Sequence, residues 1–125
     1  MPELTLTILT HSVRVCLAVE PCDMRKGYNG LAALVAVQLG EQATSGKLFV
    51  FTNRTRDMVK MLYWDGSGLW VLSKRLERGR FNWPRGLEHG GGKLVIRPEA
   101  LEMLLSGVDL KDGLKRAWYE IPATA

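Results

Sequence analysis

Residues 58–76, MVKMLYWDGSGLWVLSKRL, decide the fold of this chain. Two largely apolar runs flank the loop Asp65-Gly66-Ser67-Gly68, whose glycines supply the positive φ angles that a short connection requires. The pattern predicts an antiparallel β-hairpin. A loop of these four residues predicts the cross-strand pairs Trp64 with Leu69, Tyr63 with Trp70, Leu62 with Val71, and Met61 with Leu72.

Near its turn, this predicted hairpin is apolar on both faces. A ribbon of that kind is either covered on both sides by other elements or keeps one side as a binding surface. Aromatic cross-strand pairs stabilise such a ribbon beyond their burial, so we expect Trp64 and Trp70 to hold the hairpin together.

The remaining sequence predicts three more strands and two helices. Apolar runs at 13–19, 47–51 and 94–97 are typical of strands. One helical stripe follows Asp23, a predicted N-cap, and ends at Gly40, while Gly27 and Gly30 either delay its start to near Asn29 or permit close backbone approach. Pro98 opens the second helix, and Gly107 ends it. We therefore predict an α+β fold, a small antiparallel sheet built on a central β-hairpin with two helices packed against it.

Length and composition set the class of protein. At 125 residues the chain is expected to form one domain, 1–125, with its core at about 13–110 and a tail at 111–125. Hydrophobic residues make up 46% and charged residues 24%, which is typical of a globular protein. No signal peptide or membrane span is predicted, so we expect a cytoplasmic protein. Cys16 and Cys22 lack the spacing of a zinc site, and we expect two buried, reduced thiols.

The positive charge is concentrated in one quarter of the sequence. Eight basic and three acidic residues lie between Arg54 and Arg85, so this segment carries the whole excess that gives the chain its net charge of +4. Such a segment either attracts a polyanion or is a solvated surface of the hairpin, and the sequence favours neither.

Within this segment we predict a nucleic-acid-binding surface in which the basic groups contact phosphates and Trp83 lies at least partly exposed among them. The alternative is that Phe81 and Trp83 close the core, while the arginines pair with Glu77, Glu88 or C-terminal acids. The predicted binding residues are Arg54, Arg56, Lys74, Arg75, Arg78, Arg80, Trp83 and Arg85.

Three sequence segments, in this order, carry a resemblance to a known family: DMRKGYNGLAALV at 23–35, LYWDGSGL at 62–69 and KRLERGRFNWP at 74–84. The chain resembles the second-open-reading-frame accessory protein (TnpB type) of insertion-sequence family 66, and ALEMLLSGVDL at 100–110 is similar to that family's closing helix. The resemblance implies a bacterial mobile-element protein that assists transposition, whereas a separate, larger transposase of the same element performs strand transfer. It implies no catalytic residues.

Three functional hypotheses follow. The first is a non-catalytic accessory protein that binds DNA, at the element termini, through the basic hairpin. The second is an adaptor in which Tyr63, Trp70 and Trp83 contact the transposase without direct DNA contact. The third is a metal-dependent nuclease built on Asp23, Asp57, Asp65 and Glu77, which we rank last because Asp23 is explained as a cap and Asp65 as a turn residue.

No metal site or cofactor is predicted. His11 and His89 have no local partner, and residues 86–93, GLEHGGGK, lack the glycine and the Ser or Thr of a phosphate-binding loop. The oligomeric state is not predicted.

Overall fold

The computed structural model describes residues 13–84 and 92–106, and every structural statement below concerns these residues. The predictions for His11, Arg85, Glu88, His89, Gly107 and the tail 111–125, and most of the loop 86–93, lie outside them. Five strands and two helices are present, and the α+β class is confirmed. They are β1 (Val15–Ala18), α1 (Tyr28–Val37), β2 (Leu48–Thr52), β3 (Met58–Trp64), β4 (Leu69–Arg75), β5 (Lys93–Ile96) and α2 (Pro98–Leu105).

The five strands form one sheet in the order β4-β3-β2-β1-β5. The sheet is mixed, because β1 and β2 are parallel while every other neighbouring pair is antiparallel. The predicted small antiparallel sheet on a central β-hairpin thus differs from the structure in two details, the parallel pair and the position of the hairpin. The chain crosses from β1 to β2 through α1, and a crossover of this kind returns the second strand parallel to the first. The hairpin of β3 and β4 is consequently displaced to one edge.

The register of the hairpin is confirmed. Trp64 pairs with Leu69 and Tyr63 pairs with Trp70, and the pairing continues without interruption to Met58 and Arg75. The turn is held by the carboxylate of Asp65, which accepts hydrogen bonds from the backbone N–H groups of Ser67 (2.8 Å) and Gly68 (3.0 Å). Because these bonds lie within the loop, they support the register of the hairpin locally.

Each face of the sheet is covered by one helix. Leu31 and Val35 of α1 are fully buried against the face that carries Phe49 and Leu62, whereas α2 and the segment after β4 cover the opposite face. We refer to these as the α1 face and the α2 face. The central strands β1 and β2 are buried at every residue, which explains their unbroken apolar sequence.

The helix boundaries differ in part from the prediction. Asp23 is not an N-cap, because α1 begins at Tyr28 with Gly27 in the cap position. The Asp23 carboxylate instead accepts hydrogen bonds from the backbone and guanidinium of Arg25, and these bonds lower the pKa of Asp23 to about 2. Gly40 follows the end of α1 with a φ of 65°, as expected of a helix stop.

The second helix begins as predicted, with Pro98 at its first position. Its last residue is Leu105 and its C-cap is Ser106. The cysteines are unbonded, Cys16 buried and Cys22 half-buried, and burial raises the pKa of the Cys16 thiol to about 11. Neither helix in the described ranges is long and apolar enough to span a membrane.

Candidate nucleic-acid interface

Two arginine-bearing segments meet at one end of the sheet. The first is the turn between β2 and β3, and the second is the segment that follows β4. The Leu76 N–H donates to the Asp57 carbonyl (2.9 Å), and the Phe81 N–H donates to the Arg56 carbonyl (2.6 Å). These bonds fix the second segment beside the first, because the hairpin returns the chain to the end from which β3 started.

We call the five arginines at this end the arginine cluster: Arg54, Arg56, Arg75, Arg78 and Arg80. Arg56 is half-buried and the other four are exposed, as predicted for Arg75, Arg78 and Arg80. Glu77 forms no ion pair with them, and no acid in the described ranges pairs with Arg54, Arg78 or Arg80. Five arginines therefore lie at one end of the sheet, together with two carboxylates of the same part of the chain, Asp57 and Glu77.

The turn at the base of the cluster is built on Asn53. Its side-chain oxygen accepts from the backbone N–H groups of Asp57 (3.1 Å) and Met58 (3.2 Å), and its amide donates to Asp57 (2.7 Å) and Thr55 (3.1 Å). Arg56 adopts a left-handed conformation with a φ of 61°, which is costly for a residue with a side chain. The turn thus holds an arginine where glycine or asparagine is usual.

Asp57 does not neutralise the cluster by pairing with one of its arginines. Hydrogen bonds from the side chains of Asn53 and Thr55 lower the pKa of this carboxyl, and the nearby charge of Arg75 lowers it further. Asp57 is therefore ionised at neutral pH, and its Oδ1 atom accepts both of these hydrogen bonds within the turn. Its role is to shape the loop that carries Arg54 and Arg56.

Lys74 lies on the α2 face and has a structural contact. Its ammonium donates to the carbonyl of Leu105 (2.6 Å), the last residue of α2. A cation at this position compensates the negative end of the helix dipole and binds a carbonyl that the helix leaves unpaired. The phosphate contact predicted for Lys74 would therefore compete with the hydrogen bond from its ammonium to the Leu105 carbonyl.

The prediction that Trp83 is exposed is wrong. Only 3% of this residue is accessible, and its indole N–H donates to the carbonyl of Ala18 (2.9 Å). Phe81, two residues earlier, is 2% exposed and lies in the same apolar cluster. Alternate residues of an extended segment share one side, so Phe81 and Trp83 together close the α2 face of the core. In this position Trp83 has no surface on which a base can stack.

Among the tryptophans that the structure describes, the exposed one is Trp70, at the opposite end of the hairpin. It is 37% accessible, and its indole N–H donates to the carboxylate of Asp65 (2.7 Å). The sequence analysis had assigned Trp70 mainly to cross-strand packing. The sequence signal for this hydrogen bond is an acid in the hairpin turn, Asp65, five residues before a tryptophan of the following strand.

The structure also brings Lys26 toward the arginine cluster, a residue that the sequence analysis did not select. The Cys22 N–H donates to the Thr52 carbonyl (2.8 Å), which holds the segment before α1 beside the end of β2. Lys60 then donates from its ammonium to the carbonyl of Lys26 (2.8 Å). No local spacing in the sequence indicates this contact, because the two lysines lie on different elements.

The acids considered for metal chemistry are dispersed. Asp23, Asp57 and Asp65 each accept hydrogen bonds within their own turn. Across 13–84 and 92–106, no three carboxylate, histidine or cysteine side chains gather as a metal site would require.

Comparison with known proteins places this chain in a family. The profile of the family described as IS66 Orf2 like protein matches residues 13–114, most of the chain. The protein therefore belongs to the IS66 Orf2-like family, as the resemblance indicated, and has a transposition-associated accessory role.

Two relatives from Sinorhizobium fredii (strain NBRC 101917 / NGR234) are similar over most of their length. The chain is 42% identical to the uncharacterized protein y4hO over 99 residues, covering 79% of this chain and 84% of that protein. It is 37% identical to the uncharacterized protein y4jC over 100 residues, covering 80% and 83% respectively. No solved structure matches the chain.

Proposed function

We propose that this accessory protein binds DNA through the arginine cluster, contacts phosphates rather than base edges, and performs no catalysis itself. The observation that carries the proposal is the meeting of five arginines at one end of the sheet, four of them exposed, from the β2–β3 turn, the last residue of β4 and the segment after it. Exposed guanidinium groups without acidic partners pair with phosphate oxygens and release counterions from DNA. In the context of an insertion sequence, the proposed substrate is DNA at the element termini.

The cluster has the properties of a surface that positions DNA. Its arginines lie on turns and at a strand end, and no helix in the described ranges carries them. Reading base edges in the major groove usually requires a helix or a two-stranded ribbon inserted into that groove. A cluster at the end of a sheet is better suited to phosphate contacts, so we expect weak discrimination among DNA sequences.

The central test is a salt series with the double variant Arg78→Ala/Arg80→Ala. Each phosphate contact contributes about 0.9 to the slope of log affinity against log salt, so the slope should decrease by about 2. The decrease should be the same for an element-terminus duplex and for an unrelated duplex of equal length. Fluorescence anisotropy at roughly 50 to 200 mM salt, the range over which such contacts weaken measurably, provides the measurement.

The matched control is Arg14→Ala/Arg97→Ala. Both residues are exposed arginines, and both flank strand ends at the opposite end of the sheet, since Val15 pairs with Ile96 there. This variant loses the same charge but should retain the slope of the parent protein. Equal slopes for the parent and the Arg78→Ala/Arg80→Ala variant, with both folded, would contradict DNA binding by the cluster.

A second test uses the strained conformation of Arg56. Glycine adopts a φ near 61° without steric cost, so Arg56→Gly should keep the stability of the parent or raise it by up to about 1 kcal/mol. The same change removes a guanidinium from the cluster and should weaken DNA binding. Urea unfolding and DNA titration of the same sample measure both effects.

The control for this test is Arg56→Ala, which removes the charge but retains a side chain at the left-handed position. It should bind DNA as weakly as Arg56→Gly and unfold at lower urea than that variant. A glycine variant that binds DNA as tightly as the parent would exclude Arg56 from the interface.

A second candidate function is that of an adaptor for the transposase of the same element, and Trp70 supports it. Its exposed indole is held by Asp65, and immobilised aromatic residues are typical anchors of protein interfaces. Pull-down of the tagged protein from cells carrying the whole element, with and without nuclease, separates the two functions. Recovery of the transposase after nuclease treatment, lost with Trp70→Ala but not with Arg78→Ala/Arg80→Ala, would favour the adaptor.

A further inference from the structure

The free edge of β4 presents an unpaired row of backbone groups. Hydrogen bonds from the Asp65 N–H to the Gly68 carbonyl (3.1 Å) and from the Leu76 N–H to the Asp57 carbonyl (2.9 Å) bracket the hairpin, and the register between them is continuous. Antiparallel pairs alternate between bonded and non-bonded positions. Trp70, Leu72 and Lys74 consequently direct their backbone groups toward β3. The outward positions are Leu69, Val71, Ser73 and Arg75, and no described strand pairs with them.

Two features that usually prevent strand pairing, proline and a bulge, are absent from this edge, and its charged residues stand only at its end. β4 is seven residues long, contains no proline and has no bulge in its register with β3. Its first four residues are Leu69-Trp70-Val71-Leu72, and basic side chains appear only at Lys74 and Arg75. Edge strands normally carry a charge, a proline or a bulge near their middle. An edge of this length and composition is suited to pairing with another strand.

Trp70 is already held in position on this strand. One oxygen of Asp65 accepts from its indole N–H (2.7 Å), while the other accepts from the Ser67 backbone (2.8 Å), the Ser67 hydroxyl (2.9 Å) and the Gly68 backbone (3.0 Å). The Ser67 and Trp70 hydrogen bonds hold the pKa of Asp65 below its ordinary value, so this carboxylate is ionised. A side chain that is fixed before association loses less conformational entropy on binding.

We propose that the β4 edge pairs with β4 of a second copy of this chain, antiparallel, about a twofold axis at Leu72. The backbone of Val71 in one copy then forms hydrogen bonds with that of Ser73 in the other, and the backbone of Leu69 does so with that of Arg75. The outward N–H and C=O groups of both strands are thereby paired. The pair joins two five-stranded sheets into one of ten strands. The inference does not depend on DNA binding.

The charge distribution along the hairpin favours antiparallel pairing of β4 with β4 of a second copy. The hairpin is acidic at the turn before β4, at Asp65, and basic at the other end, at Arg75, Arg78 and Arg80. Antiparallel self-pairing places the acidic turn of each copy beside the basic end of the other. Parallel pairing would bring the two basic ends together, which like charges oppose. The same arrangement places Trp70 opposite Lys74 of the second copy on the α2 face, with the Lys74 ammonium still bound to the Leu105 carbonyl of its own copy.

The test measures the mass of the full chain in solution and the exchange of its edge amides. The parent protein should sediment as a dimer at micromolar concentration, and the amides of Leu69, Val71 and Ser73 should be protected from hydrogen exchange. Ser73→Pro removes one outward N–H without removing a bond to β3, and proline is tolerated on edge strands. It should weaken the dimer at least tenfold and expose the Leu69 and Val71 amides.

The matched control is Ser73→Ala, which removes the hydroxyl but retains the backbone N–H. It should remain dimeric with protected amides. A monomeric parent protein overturns the proposal, whether its edge amides exchange rapidly, are protected by another part of the chain, or become protected only when the transposase is added. A dimer that Ser73→Pro leaves as tight as the parent, with the variant folded, also overturns it. The measurements on the parent protein decide the question even if Ser73→Pro fails to fold.

Discussion

Trp83→Ala is expected to lower the free energy of unfolding by about 3 to 5 kcal/mol, the range for removing a buried tryptophan side chain. The residue is 3% exposed, and the substitution leaves a cavity on the α2 face of the core. It also removes the indole N–H that binds the Ala18 carbonyl, leaving this buried acceptor without its partner. Urea denaturation followed by circular dichroism measures the loss.

Trp83→Phe is the control that separates the two contributions. Phenylalanine retains most of the apolar volume but has no N–H, so this variant should lose only about 1 to 3 kcal/mol. An alanine variant as stable as the parent would show that Trp83 does not close the core. Because the side chain is buried, Trp83→Phe should bind DNA with the affinity and salt slope of the parent, unlike the behaviour expected of a stacking residue.

Asn53→Ala is expected to reduce stability by about 2 to 3 kcal/mol and to weaken DNA binding without removing any charge. Its side chain makes four hydrogen bonds within the turn, each worth roughly 1 kcal/mol before solvent compensates part of the loss. Two of them satisfy the backbone N–H groups of Asp57 and Met58, where β3 begins. Loss of these bonds frees the loop that carries Arg54 and Arg56.

Thr55→Ala is the matched control in the same turn. It removes a hydroxyl that accepts from Asn53 and donates to Asp57, but leaves the backbone bonds in place. Because Thr55 is exposed, the substitution should lower the free energy of unfolding by less than about 1 kcal/mol and leave DNA affinity nearly unchanged. If Asn53→Ala binds DNA as tightly as the parent while remaining folded, the geometry of the turn is unimportant for the interface and only its charge matters.

Contacts between residues close in the sequence were mostly predictable from it, whereas contacts between distant residues were not. The β3–β4 register was predicted correctly, because the turn around Asp65 determines it within a few residues. The parallel pairing of β1 with β2 was missed, because Val15 and Leu48 meet only through a crossover that no local pattern describes. The start of α1 was left open between the predicted cap Asp23 and a position near Asn29, and the observed start at Tyr28 agrees with the second, because the Asp23 carboxylate binds Arg25 instead.

The same principle explains the results for the candidate site. Arg75, Arg78 and Arg80 were expected to project into solvent if they contact phosphate, and all three are exposed. The burial of Trp83 was not predicted, because its partner Ala18 lies 65 residues away in the sequence. The neighbouring arginines made this tryptophan resemble an exposed residue. Phe81 and Trp83, spaced by two, form the apolar side of the segment whose polar side carries the charge.

The place of β1 within the sheet has a consequence for the order of folding during synthesis. Val15 pairs with Leu48 on one side and with Ile96 on the other, so the second neighbour of this strand is among the last parts of the described chain to leave the ribosome. Closing so long a loop is slow compared with forming the β3–β4 hairpin. Until β5 emerges, β1 is a fully apolar strand with one open edge, the kind of surface that chaperones bind in nascent chains.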